Sequence, residues 1–422
     1  MSKIRSAIVG CGGMGHRHLY GLAELHRADL SEFELVGACD PVQANAESLA
    51  AEAEKLLGHK PTVVSNLDEL EKVGVQAIDI TTTPPYHHTI AVDALERGWH
   101  TMIEKPMGLT VRACNIIRKA AEKHNCVVSV AENYRRDPIN RLAKALLEKE
   151  IIGQPRFLMH NTIGGSDKML ISVWRHQKDQ SGVLIDVGVH FTDMMEYLLG
   201  EIDTVYGQTR LHEPIRQNPA RIEGGQAVNP SGVYDRWQKE MPAEFEATAE
   251  DAAYSTLTFK NGVVGQYIED HAGHGQGIWK RQIYGSLGSM DLPNDRSGQI
   301  ITLNLGGTDI IQDERILDLV PDFHLDEVTA TLFGGDRLWC YEQPFTDTDR
   351  KLLAVEYADF GGGILGKHPV EVDADQGTRS VAAAYAMLES NALGRRVTMD
   401  EVLNESVDTY QQEINDSLSI NS

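Results

Sequence analysis

The chain has 422 residues, 41% of them hydrophobic and 24% charged, and 39 Lys and Arg against 62 Asp and Glu give a formal net charge of −23. That length exceeds one compact core and predicts two domains. The acidic balance excludes nucleic acid or an anionic membrane as the main partner, because phosphate binding needs concentrated cations.

No uncharged apolar run reaches the ~18 residues of a membrane span. The five cysteines (Cys11, Cys39, Cys114, Cys126 and Cys340) form no Cys-x-x-Cys pair and read as free thiols. No secretory leader is visible, so the expected address is the cytoplasm.

Residues 4–9 form an apolar run that predicts a buried strand, and Gly10, Gly12 and Gly15 follow in G-x-G-x-x-G spacing. In a strand-to-helix turn each glycine has a task. Gly10 permits the tight turn, Gly12 lets the backbone approach a pyrophosphate, and Gly15 lets the helix pack close to the strand. Gly13 and Met14 belong to the same turn, where unpaired helix N–H groups favour phosphate. Taken alone, the pattern also occurs in purely structural turns.

A helix is expected over 16–26 and a second strand over 33–40. Asp40 stands 25 residues beyond Gly15, close to the ~20 expected of a carboxylate that hydrogen-bonds the adenosine ribose. A carboxylate there repels a 2′-phosphate and favours NAD over NADP. The competing reading is that Asp40 caps a helix over 44–57.

The alternation continues with strands at 62–64, 77–81, 100–104 and 127–131 and helices at 67–70, 90–97 and 109–124. Such order gives right-handed crossovers and a parallel sheet. The expected fold class is α/β, with an N-terminal doubly wound Rossmann domain over 1–135. Ligands of such sheets sit beyond the carboxyl ends of the strands. There lie Thr82, Pro84 and His88, then Glu104 and Lys105, then Asn133, Tyr134 and Arg135, all expected around the nicotinamide half of the cofactor.

These segments resemble the glucose–fructose oxidoreductase / inositol dehydrogenase (Gfo/Idh/MocA) family. The shared marks are the glycine turn, Thr83-Pro84-x-x-x-His88, Glu104-Lys105-Pro106, Asn133-Tyr134-Arg135 and a later Asp-x-x-x-His. The resemblance spans nearly the whole chain, and Glu-Lys-Pro at the end of a fifth parallel strand is its most specific element.

After a helix over 137–150 the pattern changes to strands joined by polar turns, at 156–163, 204–210, 253–259, 263–270 and 281–286. Asn261-Gly262 between two of them is a hairpin signal. A C-terminal α+β domain with a large, mostly antiparallel open sheet is expected over 136–410, with 411–422 frayed. Within it a single helix over 181–199 carries an apolar stripe (Val187, Phe191, Met194, Leu198) beside a polar one (Asp186, His190, Asp193, Tyr197). By itself the Asp186/His190 pair reads as an ordinary surface pair, and the resemblance makes it the acid/base pair. Gly188 between them hints at close backbone approach. Residues 211–249 and 295–350 are irregular and are the expected seat of specificity. Helices are expected over 352–360 and 376–393, packing beside the sheet or back towards the first domain.

No Ser-His-Asp elbow, zinc spacing or phosphate-transfer lysine motif occurs, and no metal is expected. A nicotinamide cofactor, a lysine and an Asp/His pair suit hydride transfer from a secondary alcohol, whose hydroxyl proton must leave as the carbonyl forms. The reading is His190 as general base, Asp186 orienting its ring or binding a neighbouring hydroxyl, Lys105 holding the reacting oxygen and Glu104 orienting Lys105, with a lysine base supported by a histidine as the mechanistic competitor. Tyr134, Arg135, Trp174, Arg175 and His176 are candidate substrate contacts. Trp174 reads equally as core, and Arg135 as a salt bridge across the domain interface. The resemblance implies an NAD-dependent dehydrogenase of a sugar, inositol or related polyol, forming a homodimer or homotetramer through its C-terminal sheet. Its alternatives are a redox-neutral glycosidase or lyase and a non-catalytic NAD-binding regulator.

Overall fold

Apolar strands separated by amphipathic helices bury both faces of a parallel sheet, and the first third of the chain does this without interruption. The computed structural model, which describes residues 3–307 and 309–421, begins with β1 (Ile4–Val9), α1 (Gly13–Arg27), β2 (Phe33–Cys39), α2 (Gln43–Leu57), β3 (Thr62–Val64) and α3 (Leu67–Val73). It continues with β4 (Ala77–Ile80), α4 (His87–Glu96), β5 (His100–Glu104), α5 (Val111–His124) and β6 (Val128–Ala131). The six strands lie in the order β3-β2-β1-β4-β5-β6 and every pairing is parallel. This is the doubly wound dinucleotide topology, whose strand order reverses between β1 and β4.

The next elements are α6 (Pro138–Glu148), β7 (Pro155–Gly165), α7 (Val183–Asp186), α8 (Gly188–Leu199), β8 (Ile202–Arg210), β9 (Ile215–Gln217), α9 (Asp235–Glu240) and β10 (Glu244–Glu246). Then come β11 (Ala252–Phe259), β12 (Val264–Gly273), β13 (Ile278–Gly285), β14 (Gly288–Leu292), β15 (Thr302–Leu305), β16 (Asp309–Ile311) and α10 (Glu327–Phe333). The chain closes with α11 (Phe345–Ile364), α12 (Ala374–Leu393), β17 (Val397–Thr398), α13 (Met399–Leu403) and α14 (Gln412–Ser417). Nine strands form the second sheet, in the order β16-β15-β14-β13-β7-β12-β11-β8-β17. Its pairings are antiparallel except β7 with β12. The Asn261-Gly262 turn joins β11 to β12, with Gly262 at φ +89°.

Two compact units result. One comprises Met1–Asn133, Pro230–Val233 and Thr346–Thr378; the other comprises Tyr134–Asn229, Tyr234–Phe345 and Arg379–Ser422.

Three expectations change. The single helix over 181–199 is broken at Val187, where the His190 N–H bonds to the Val187 carbonyl at 3.1 Å. Gly188 follows the break, and a Cβ there would lie 2.8 Å from Glu269 Oε2 on β12. The irregular segments contain β9, α9 and β10, and β15, β16 and α10, respectively. Beyond residue 411 the chain is not frayed but forms α14, with Ile414 and Asn415 buried.

Candidate active site

The glycine turn is shaped by what sits against it. Gly10 has φ +98°, and a Cβ there would lie 2.8 Å from the backbone of Thr81 and Thr82 at the end of β4. The Thr81 N–H donates to the Val9 carbonyl and its hydroxyl to the Gly10 carbonyl (2.8 and 2.7 Å), fastening the turn to that strand. At Gly15 a Cβ would lie 2.3 Å from the Gly10 carbonyl oxygen, so only glycine lets α1 start so close to its strand. Gly12 differs, because a Cβ there would meet no protein atom within 4 Å. The space beside its backbone is what a pyrophosphate needs. Gly12→Ala is therefore expected to leave folding stability within about 0.5 kcal/mol, measured by urea unfolding, while weakening NAD about tenfold or more in a calorimetric titration.

Asp40, buried at the end of β2, accepts from the Cys11 N–H through Oδ2 and from the Val42 N–H through Oδ1, both at 2.8 Å. It thus stitches the glycine turn to the entry of α2. Each carboxylate oxygen keeps lone-pair capacity for a ribose diol. Two buried polar atoms, His88 Nδ1 on α4 and Asn133 Oδ1 beyond β6, make no well-formed hydrogen bond within the protein, the His88 ring having only the nearby Pro85 carbonyl. Buried polar groups of this kind call for a ligand. Burial, with His87 alongside, lowers the His88 pKa and keeps the ring neutral. Open space at Gly12, a carboxylate at Asp40 and these two buried polar atoms fit a dinucleotide.

Glu104 and Lys105 end β5, and the Lys105–Pro106 bond is cis. Glu104 Oε1 meets His18 Nε2 at 3.1 Å. His18 Nδ1 meets Asp79 Oδ2 at 2.8 Å, and the Tyr357 hydroxyl donates to that same oxygen at 2.5 Å. The His18 ring is fully buried. Burial pulls its pKa down, but the charge and hydrogen bond of Asp79, then those of Glu104, outweigh it and hold an imidazolium. Burial likewise raises the Glu104 carboxyl, and His18, aided by Lys105 and Arg17, outweighs this and brings it to about 2. Beside them Arg17 pairs with Asp349 through two bonds of 3.0 and 2.5 Å. His18, Asp79 and Tyr357 are positioning residues that the sequence reading missed. Their one visible signal was an aspartate inside the apolar run 77–80.

In the second unit, α7 and α8 present Asp186 and His190 on either side of the break. Both are nearly fully buried. The Asp186 carboxylate accepts from Arg175 Nη1 at 3.2 Å. Arg175 stacks over the Trp174 ring at 4.3 Å, and its buried Nε has no partner. The His190 ring lies flat on Tyr134, with centroids 4.1 Å apart and an interplanar angle of 1°. Arg296 caps the other partner, its guanidinium 4.6 Å from the Tyr134 ring and bonded to the hydroxyl at 3.2 Å. Tyr134 thus fixes the plane of His190. Arg135 bonds Asp193, also of the second unit, at 2.8 and 2.5 Å. His176 accepts the Leu170 N–H at 2.9 Å, and burial lowers its pKa to about 3, so the ring is neutral.

Residues 4–132 match the model of an oxidoreductase family with an NAD-binding Rossmann fold, and residues 144–399 match the α/β C-terminal domain of the same family. The chain belongs to the Gfo/Idh/MocA family. It is an NAD-dependent oxidoreductase. Among family relatives, levoglucosan dehydrogenase of Pseudarthrobacter phenanthrenivorans is 28% identical over 317 residues, covering 71% of this chain and 76% of the relative. The NAD(+)-dependent scyllo-inositol 2-dehydrogenase of Bacillus subtilis is 24% identical over 325 residues, covering 76% and 81%. A solved levoglucosan dehydrogenase in complex with NADH and L-sorbose shares the family fold at TM-score 0.72 and 22% identity, over 94% of this chain and 99% of that one.

Proposed function

We propose that the protein transfers hydride between a secondary hydroxyl of a sugar, inositol or related polyol and NAD. The observation that carries this reading is His190, a buried imidazole held flat on Tyr134 and one turn from the Arg175-bound Asp186, in a chain that also ends β5 with Glu104-Lys105-Pro106. NAD, when bound, supplies the hydride acceptor. The glycine turn binds its phosphates, Asp40 its adenosine ribose, and Thr82, Pro84, His88 and Asn133 line its nicotinamide half. His190 takes the proton of the substrate hydroxyl as the carbinol C–H bond breaks, Asp186 orients the reacting group, and Lys105 donates to the oxygen on which charge develops. Trp174 and Arg175 contact the sugar. Relatives named as levoglucosan and scyllo-inositol dehydrogenases support this substrate class.

A homo-oligomer is proposed through the outer face of the nine-stranded sheet. Its register sets Tyr284, Phe157 and Val264 in one cross-strand row and Met159, Gln266 and Thr256 in the next, where Thr256 also pairs with Tyr206. Tyr206, Tyr254, Val264, Ile278 and Tyr284 are exposed in the single chain, an apolar display that a second copy would cover. Five free thiols suit a reducing compartment, the cytoplasm. Among the described residues no helix is long and apolar enough to cross a membrane.

A panel of sugars, inositols and glycosides with NAD, followed at the NADH absorbance band, tests the reading. Net NADH with at least one polyol is expected. Turnover without net NADH would replace it with redox-neutral chemistry, and silence across the panel would favour a binding protein.

A further inference from the structure

The second unit holds a cavity of about 560 Å³ that no step of the proposed reaction uses. Its size lies within the roughly 300–1,000 Å³ of small-molecule sites. It is built where β7 and β12 end, and it is walled by Pro219, Gln226 and Val228 of the irregular 211–249 segment. Neither Asp186 nor His190 lines it, but His176 does, next in sequence to the Arg175 that holds Asp186. The cavity is therefore distinct from Asp186 and His190 and is joined to them through the 175–176 stretch of chain.

Its scaffold is organised from beneath by Arg216, a fully buried guanidinium. Nη1 of Arg216 donates to the carbonyls of Ser166 (2.6 Å), His271 (3.0 Å) and Lys168 (3.3 Å), and Nη2 to Asp251 at 2.7 Å. One charged side chain thus ties together the adjoining ends of β7 and β12 in the cavity wall. Such preorganisation is what a binding site needs, and it is more than a surface crevice requires.

The lining suits hydroxyl groups. His271 Nε2 bonds to Glu269 Oε1 at 2.7 Å and His274 Nε2 to Glu213 Oε1 at 2.8 Å, so each imidazole is oriented by a carboxylate behind it. Glu269 is itself held by the Tyr267 hydroxyl and lies against Gly188, at the start of the helix that carries His190. Lys168 adds an exposed ammonium with no ion-pair partner among the described residues. Oriented imidazoles and an ammonium pair with the many donors and acceptors of a carbohydrate.

We propose that this cavity is a second carbohydrate subsite and that the substrate is an extended glycoside, oxidised on one ring and held here by another. This rests on the dehydrogenase reading above. The 211–249 segment, which supplies Arg216 and one wall, then sets specificity.

The test crosses substrate length with substitution. Initial rates with NAD are measured for a series of glycosides and for their parent monosaccharides, on the natural protein and on Lys168→Ala and His271→Gln. The natural protein is expected to favour the extended partner at least tenfold in kcat/KM, mostly through KM. Each variant is expected to lose most of that preference while keeping its rate on the monosaccharide and its NAD affinity. Equal effects on long and short substrates, or none, overturn the subsite while leaving the dehydrogenase reading standing. Should no sugar be oxidised, the dehydrogenase reading fails on its own account. Calorimetric titration of the same glycosides then decides the subsite: binding lost in both variants supports it, and no binding to the natural protein overturns it.

Discussion

Lys105→Ala is expected to lower kcat/KM by on the order of 10³-fold, since it removes the donor to the reacting oxygen. NAD affinity should stay within about threefold, because the glycine turn and Asp40 are fastened by contacts of their own. Lys105→Arg should rescue little, as a planar guanidinium does not replace a compact ammonium. Steady-state rates paired with a calorimetric NAD titration read both quantities. A variant that keeps a tenth of the natural rate would show that Lys105 is not in the chemistry. A variant that loses NAD along with activity would place the lysine in cofactor binding alone.

The second large effect is expected at His18, where no ligand is involved. His18→Leu removes the cation between Asp79 and Glu104 and leaves both carboxylates buried without it. Breaking a buried ion pair from one side costs about 3–5 kcal/mol, which urea unfolding should show as a lower midpoint. Adding Glu104→Gln to His18→Leu should recover part of the loss, as coupled partners do in a double-mutant cycle. The sign of the pH dependence follows from the two shifts. The raised His18 contributes stability that is full below its unfolded value of about 6.5 and is lost as pH rises through its folded value. The lowered Glu104 contributes above its unfolded value of about 4.3 and loses that contribution as pH falls towards about 2. Stability from this network therefore peaks between weakly acidic and neutral pH, and His18→Leu should flatten the profile. Full stability and an unchanged profile in the variant would mean that the ring is not charged.

What could be read from the chain follows the range of the forces involved. The parallel sheet was legible because each strand is a short apolar run and each crossover a helical period. β5 falls on the same residues, His100–Glu104, by either route. Gly10 and Gly15 were legible in the same way, since a turn within 15 residues settles what each must accommodate. The break at Val187 was not, because what packs beside it, the Glu269 carboxylate on β12, lies some 80 residues downstream. Glycine at 188 announced a close approach, but not what approaches. The His18 network draws on α1, β4, β5 and α11, and no local pattern announces partners so far apart. Arg216 sat in a stretch without periodicity, so only the fold shows it fully buried and bonded to three carbonyls. Residues 412–417 were polar enough to suggest fraying, yet Ile414 is buried and draws the segment into a helix.

The central claim is transfer of hydride from a carbinol carbon to NAD, and an isotope decides it most directly. The polyol that yields NADH in the panel is prepared with deuterium at the oxidised carbon, and the product nucleotide is examined by mass spectrometry and proton NMR. One deuterium at nicotinamide C4, on a single face, in every molecule of NADH formed is the expected result. NADH without deuterium, or ketose formed with no label reaching the nucleotide, would contradict it.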